Sequence, residues 1–424
     1  MSQSGNSLFF RTEIFKTLKG VDEALSLIKS SVKDIVLDCI EIDVKNSLHY
    51  FPAEDILAQQ DVPNFDRSAV DGYAVISNDV ISSSPTNPII LKVVQKIYAD
   101  TNFEILKPIN HGEASIVYTG APLPPNADAV VMFEDTKFDG LMVQVFRPVS
   151  PYQNVSRKGE DFSKGSIVVE RGALIRPWHL AALLSTGLDK IRVYRRIKVG
   201  VLSTGSELTE KYNGSGIVNT TKPLLLSLVS EEFCEAIDFG TVPDDREAIR
   251  EKILQALPEV DILLTTGGTS VGATDLVSDA ILSIKGSKLI FHGVRMRPGR
   301  PTGMALVNGK PIFMLSGYPV ASFTGFEVFV KHTINLLRSS RQLDYPKIRA
   351  RLSRRLAKPV GVKAYVRVKV FKVGEEYVAE PLRLTGSGLL STLTRGNALL
   401  VIDENVEGYD EGEVVEVQLI GGVV

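Results

Sequence analysis

The chain has 424 residues, well beyond the roughly 100 to 200 of one domain, so two to four domains with ample apolar surface to bury are expected. Lys+Arg 48 against Asp+Glu 50 gives a formal net charge of -2, which argues against a nucleic-acid binder that relies on a basic face. Cys39 and Cys234 are too few and too far apart for a zinc-type cluster, and the 5 histidines show no paired spacing, so any metal site would be built from oxygen ligands. Both cysteines have apolar neighbours and read as buried thiols in a reducing cytoplasm. Met1 to Leu18 has no continuous apolar stretch, and no window approaches the roughly 18 residues of a membrane span, so the chain reads as neither secreted nor membrane-embedded.

Up to Leu188, short apolar runs are broken by Gly, Pro and Asn, and helical spacing is convincing only near Val21 to Ser30 and Pro177 to Ser185. This part is expected to be β-rich, with a polar turn from Ile81 to Pro88 and a tight turn from Gly159 to Gly165 before a strand from Ile167 to Val169. From Val199 strands and helices alternate. The strands are expected at Val199 to Leu202, up to Val242, and at Val260 to Leu264, with two more near Leu289 and Ile312. Helices are expected from the Asn219 cap to about Phe233, from Asp244-Asp245 to about Leu257, from about Asp275 to Ile284, and from about Val320 to Leu337. The pattern predicts a doubly wound, mostly parallel α/β domain. After Arg341, five alternating runs (Arg349 to Arg355, Ala364 to Val373, Tyr377 to Pro381, Ala398 to Ile402 and Val414 to Leu419) predict a small C-terminal β-barrel or sandwich.

In doubly wound sheets ligands bind beyond the carboxyl ends of the strands. Four polar loops fall there: Ser203 to Glu207, Pro243 to Asp245, Thr265 to Asp275, and Ser316 to Pro319. The third is the most informative, because Gly267, Gly268, Thr269, Ser270 and Gly272 suit close backbone approach to a phosphate and Asp275 can hold a hard cation. Residues 63 to 74 gather Asp66, Arg67, Ser68 and Asp71 among apolar neighbours, and Thr119 opens a proline-set loop that could bind an anion. Asp161 follows Gly159-Glu160 in what reads as a turn. Arg295, Arg297 and Arg300 are expected to form an oxyanion-binding cluster, with a structural ion-pair network as the alternative, and Arg295 and Arg297 would share one side of an extended segment. With no nucleophile triad, P-loop or dinucleotide fingerprint, the chemistry implied is electrostatic: Asp71, Asp161, Glu207, Asp244 and Asp275 would hold a divalent cation, naturally Mg2+, or orient water.

The ordered motifs FDRSAVDGYA, TGAPLPPNADAVV, RKGEDFSKG, VLSTGSEL, TTGGTSVGATD, RMRPGRP and SGYPVASF resemble those of the molybdopterin molybdenumtransferases, the family that includes the E domain of gephyrin. The resemblance implies a MogA-like α/β domain (1–20 plus 189–340), a linker-like α+β domain (21–60 plus 150–188), a β-rich domain (61–149) and the C-terminal barrel (341–424). It also implies a homodimer, with the site built between the α/β domain of one subunit and β domains of the other. The implied reaction is Mg2+-assisted insertion of molybdate or tungstate into adenylylated molybdopterin (molybdopterin-AMP) with release of AMP, the upstream partner being molybdopterin adenylyltransferase.

By motif position the family's functional residues fall on Asp71, Thr119, Asp161, Glu207, Asp244 and Asp275, with Asp161, Asp244 and Asp275 toward the metal. Arg297, Arg367 and Ser387 match positions that resemble its oxyanion site. Gly293 and Arg297 stand where relatives carry lysines, and Ser316 to Pro319 replaces Pro-Gly-Asn-Pro. Arg295 would supply the missing charge. The other readings are molybdopterin adenylylation and a non-catalytic, gephyrin-like scaffold.

Overall fold

The computed structural model describes residues 18–212, 214–268, 275–340, 345–383 and 386–423. The chain forms two compact units, Ile40–Val193 and Met1–Cys39 with Tyr194–Val424.

Unit Ile40–Val193 is β-rich, as the broken apolar runs predict. Its main sheet contains β1 (Gly72–Val75), β2 (Ile89–Ile97), β3 (Glu113–Val117), β4 (Ala129–Met132), β5 (Thr136–Phe138) and β6 (Met142–Val145), in the order β4-β1-β3-β2-β6-β5. β1 is buried along its whole length because both faces are packed around it: Tyr73, Val75, Leu91, Val131, Val143 and Val145 meet on one, and Ala74, Ile97, Val117 and Val130 on the other. Gly72 is dictated by packing, since a Cβ there would lie 2.0 Å from the Val131 carbonyl oxygen. The Gly159–Gly165 turn, the strand Ile167–Val169 and the helix Pro177–Ser185 lie where the sequence predicts them.

The second unit is built on a six-stranded sheet. Its elements are β7 (Lys198–Thr204), α1 (Thr221–Glu231), β8 (Glu235–Val242), α2 (Arg246–Ala256), β9 (Ile262–Thr266), α3 (Leu276–Leu282), β10 (Ser287–His292), β11 (Gly303–Val307), β12 (Lys310–Leu315) and α4 (Pro319–Gly325). The order is β8-β7-β9-β12-β11-β10; the first four strands are parallel, and β11 runs against them, pairing antiparallel with both β12 and β10. α2 and α3 cover one face through Ile249, Ile253, Val277 and Ile281, packed on Leu202, Leu263, Ile312 and Met314. The helix Val21–Val32 also belongs to this unit and buries Val21, Ala24, Ile28 and Val32 at helical spacing.

Three details differ from expectation. β11 was not expected; it pairs with β12 through an Asn308-Gly309 turn in which both residues have positive φ, the hairpin chemistry of that dipeptide. The single helix expected from Val320 to Leu337 is α-helical only over Pro319–Gly325 and Lys331–Leu337, with a π-helical segment Phe326–Val330 between, next to Gly325, whose added Cβ would press Leu315. Cys234 is buried, but Cys39 is only half-buried, because it begins a strand whose residues are intermediate or exposed.

After residue 345 the chain closes a five-stranded barrel from β13 (Lys347–Leu352), β14 (Lys363–Val373), β15 (Glu376–Arg383), β16 (Ala398–Ile402) and β17 (Val414–Leu419). Pairing runs β14-β15-β13-β17-β16 and returns to β14, which removes free edges. Ala350, Val366, Val368, Val370, Ala379, Leu400 and Val417 fill the interior.

Candidate functional site: a cavity at the carboxyl ends of the parallel strands

The loops after β7, β8, β9 and β12 converge on one cavity of about 980 Å³, lined by Thr204, Glu207, Asp244, Gly267, Gly268, and Ser316 to Pro319. Four parallel strands place their carboxyl ends side by side, so loops far apart in sequence share one rim. Asp244 clasps two of them: its Oδ2 accepts from the Ser206 N–H at 3.0 Å, and its own N–H donates to Ser206 Oγ at 3.0 Å. Gly267 and Gly268 have φ of +93° and +61°, and a Cβ on Gly267 would stand 2.2 Å from the Thr204 carbonyl oxygen. Only glycine lets the backbone turn this tightly against β7. Thr204 Oγ1, buried beside this turn, has no hydrogen-bond partner among the described residues, which leaves a donor for a ligand.

The cavity also carries cationic groups. Arg297 and Arg300 line it from the segment after β10, and Arg367, Gly386, Ser387 and Gly388 line it from the barrel. Arg367 is 1% exposed, and among the described residues its guanidinium donates only to neutral acceptors: Thr392 Oγ1, the Tyr365 carbonyl and the Arg383 carbonyl. Burial without an anionic partner pushes its pKa down to about 10, so it stays charged at neutral pH and favours an anion. The barrel loop is tied to α4 by the Val320 N–H, which donates to the Ser387 carbonyl at 3.0 Å.

Two residues expected at this site lie apart from its lining. Arg295 does not share a side with Arg297: its Nη1 donates to the Leu18 carbonyl at 2.8 Å and its Nε stands 3.6 Å from Glu404, because the Lys19 to Val294 and Met296 to Lys363 pairings twist the segment between them. Asp275 caps α3, Oδ1 accepting from the Ser278 N–H at 3.0 Å, while Oδ2 is 3.0 Å from Nε2 of the buried His292. Thr269, Ser270 and Gly272 lie outside the described residues. Among the described residues no three His, Cys, Asp or Glu side chains gather as a metal cage.

Asp71, Thr119 and Asp161 belong to unit Ile40–Val193. Asp71 and Thr119 come together: the Thr119 N–H and Oγ1 both donate to Asp71 Oδ1, at 2.7 and 2.8 Å. These bonds, the backbone one first, hold the exposed Asp71 carboxyl below its ordinary range. Asp161 is exposed on the Gly159 turn, its N–H donating to the Val62 carbonyl at 3.0 Å. Sequence reasoning missed the neighbouring Tyr98 and Tyr118 rings, which stack at 5.0 Å with Lys96 Nζ over both; their positions near the carboxyl ends of adjacent strands were the available signal.

Family models match three segments of the chain: "MoeA N-terminal region (domain I and II)" over residues 19–187, "Probable molybdopterin binding domain" over 200–336, and "MoeA C-terminal region (domain IV)" over 349–420. The chain belongs to the MoeA family. It is similar to a molybdopterin molybdenumtransferase of Staphylococcus aureus (strain MSSA476), 32% identical over 400 residues that cover 92% of this chain and 95% of that one. A Methanocaldococcus jannaschii protein assigned by inference to molybdopterin biosynthesis is 40% identical over 392 residues, covering 90% and 92%. The crystal structure of the molybdopterin biosynthesis MoeA protein of Pyrococcus horikoshii OT3 superposes with a TM-score of 0.82 at 34% identity, over 95% of this chain and all of that one (100%). This MoeA-family chain is therefore a transferase of molybdenum cofactor biosynthesis, and its cavity lies in the segments matched by the molybdopterin-binding and C-terminal models. Among the described residues of this MoeA-family chain no helix is long and apolar enough to cross a membrane.

Proposed function

We propose that the chain inserts molybdate or tungstate into adenylylated molybdopterin and releases AMP, and that the cavity at the carboxyl ends of β7, β8, β9 and β12 is where the substrate binds. The observation that carries this reading is the pairing of carboxylates, Glu207 and Asp244, with three arginines that have no ion-pair partner among the described residues, Arg297, Arg300 and Arg367. Such a rim suits a substrate that is itself anionic and brings a cation with it. Gly267, Gly268 and Thr204 Oγ1 offer the close backbone and hydroxyl contacts a phosphate needs. Arg367, with Arg297 and Ser387, holds the oxyanion.

The donor set fits Mg2+. That ion is held by one or two carboxylates plus substrate phosphates, and Glu207 and Asp244 supply as many without a complete protein cage. When bound, it would neutralise charge on the phosphate leaving with AMP. Asp275, at the start of α3, would supply a carboxylate for the Mg2+-assisted cleavage, and Asp161 and the Asp71–Thr119 pair would act as further polar contacts to the substrate. The chain would work as a cytoplasmic homodimer that receives its substrate from molybdopterin adenylyltransferase.

AMP release by the purified protein, from adenylylated molybdopterin with Mg2+ and either molybdate or tungstate, tests the proposal. Oxyanion-dependent AMP release is the expected result, and Asp275→Asn is expected to abolish it while molybdopterin binding persists. Consumption of ATP with free molybdopterin, in place of AMP release, would overturn the reading in favour of adenylylation.

A further inference from the structure

Tyr318 supplies the aromatic side chain of the cavity; no other described lining residue is aromatic. It lies at the turn from β12 into α4 and is 62% exposed, although Ser316 and Pro319 on either side of the turn are buried. A large ring left open on a mobile loop would mean little, but this backbone is fixed. The Tyr318 N–H donates to Ser316 Oγ at 3.2 Å, and its carbonyl accepts from the Ser322 N–H at 3.0 Å. Thr221 Oγ1 donates to the preceding Gly317 carbonyl at 2.7 Å, and Thr266 Oγ1 to the Ser316 carbonyl at 2.9 Å. These bonds join the turn to β9 and to the start of α1.

The ring leans on the barrel loop at Gly388, where an added Cβ would stand 3.2 Å from Tyr318 Cδ1. Gly388 thus leaves room for the ring to lie close to the backbone. The rest of the ring opens on a cavity that is also lined by charge: Glu207, Asp244, Arg297 and Arg367. The hydroxyl has no hydrogen-bond partner among the described residues, so the phenol is not held there as a structural link. A rigid, uncovered π face beside anion-binding groups matches a ligand that carries both a flat ring and a phosphate.

We propose that Tyr318 is a stacking platform for a planar heteroaromatic ring of the phosphorylated substrate. The proposal rests on the reading of this cavity as the substrate site. Two rings of that substrate share the required chemistry, the pterin and the adenine, and each can be supplied separately.

The test titrates the full chain with molybdopterin under anaerobic conditions and, separately, with AMP, for the wild type and the Tyr318→Phe, Tyr318→Leu and Tyr318→Ala variants. Stacking predicts that Tyr318→Phe binds within about twofold of wild type, while the Leu and Ala variants lose about tenfold or more for one of the two ligands. The ligand affected identifies the ring. The leucine variant keeps apolar volume without a π face, so its loss separates stacking from simple filling. Protection of the fold by molybdate, read as the rise in Tm, is expected to stay at the wild-type value in all three variants. Unchanged affinity for both ligands in the Leu and Ala variants overturns the proposal, as does a parallel loss of molybdate protection, which would mean that the cavity had collapsed. A wild type that binds neither ligand overturns the cavity as the substrate site instead.

Discussion

Asp244 and Asp245 are neighbours in the chain with different work. Asp245 caps α2, its Oδ1 accepting from the Ala248 N–H at 2.8 Å, whereas Asp244 ties the loop after β8 to the loop that carries Glu207. Asp245→Ala should cost about 1 kcal/mol of stability in urea unfolding and leave kcat/KM within about twofold. Asp244→Ala should do the reverse, lowering kcat/KM at least about tenfold with little change in the urea midpoint; equal effects of the two would show that the clasp has no part in turnover. Arg367 is the sharper case, since it is buried and among the described residues meets only neutral acceptors. In the Arg367→Met variant, molybdate is expected to lose the Tm increase it gives the wild type, because ligand binding stabilises only where the site recognises the ligand. A wild-type increase would remove Arg367 from the oxyanion site. The sequence placed Arg367 only through a weak motif, because nothing local to β14 says that its guanidinium lacks a carboxylate.

At the scale of elements, the turn after β9 and the start of that strand carry separable loads. Gly267→Ala meets both a positive φ and a carbonyl 2.2 Å away, so a loss of roughly 2 kcal/mol or more is expected. Gly112→Ala has a similar φ of +79° but open space around it, and should lose about 1 kcal/mol. Chemical denaturation of the two variants compares clash plus strain with strain alone, and equal losses would show that the contact with Thr204 is relieved by movement. At the other end of β9, Asp261 receives Arg195 Nη1 and Nη2 at 2.6 and 2.7 Å and the Lys198 N–H at 2.8 Å. Burial pushes its pKa up, but these bonds outweigh burial and hold it below the ordinary 3.8. A depressed folded pKa gives stability that is complete above about 3.8 and is lost as pH falls through the folded value. Asp261→Asn should therefore cost roughly 2 kcal/mol at neutral pH, with the gap to wild type closing in urea titrations below pH 4. A gap that stays constant to low pH would mean that the carboxylate charge is not what stabilises this strand.

For the whole molecule, the proposed homodimer predicts sedimentation at twice the chain mass of 46.4 kDa at micromolar concentration; a single-chain mass would exclude it. The α/β alternation, the positions of the five barrel strands along the chain and the β-rich first part were legible in the sequence because hydrophobic period and chain punctuation are local properties. Ala398–Ile402 and Val414–Leu419 match their predicted limits residue for residue. β11 was not among the predicted strands, although the Asn308-Gly309 turn that joins it to β12 is a local hairpin signal. The sequence by itself determined which side chains could meet an anion and a cation, and that four loops would share one edge of a parallel sheet. Only the tertiary structure decided that Arg297 lines the cavity while Arg295 turns to Leu18 and Glu404, that Asp275 meets a buried His292, and that Arg367 and Tyr318 line the same cavity. The physical reason is that side-chain direction follows from strand pairing and packing between segments hundreds of residues apart, which no local pattern encodes.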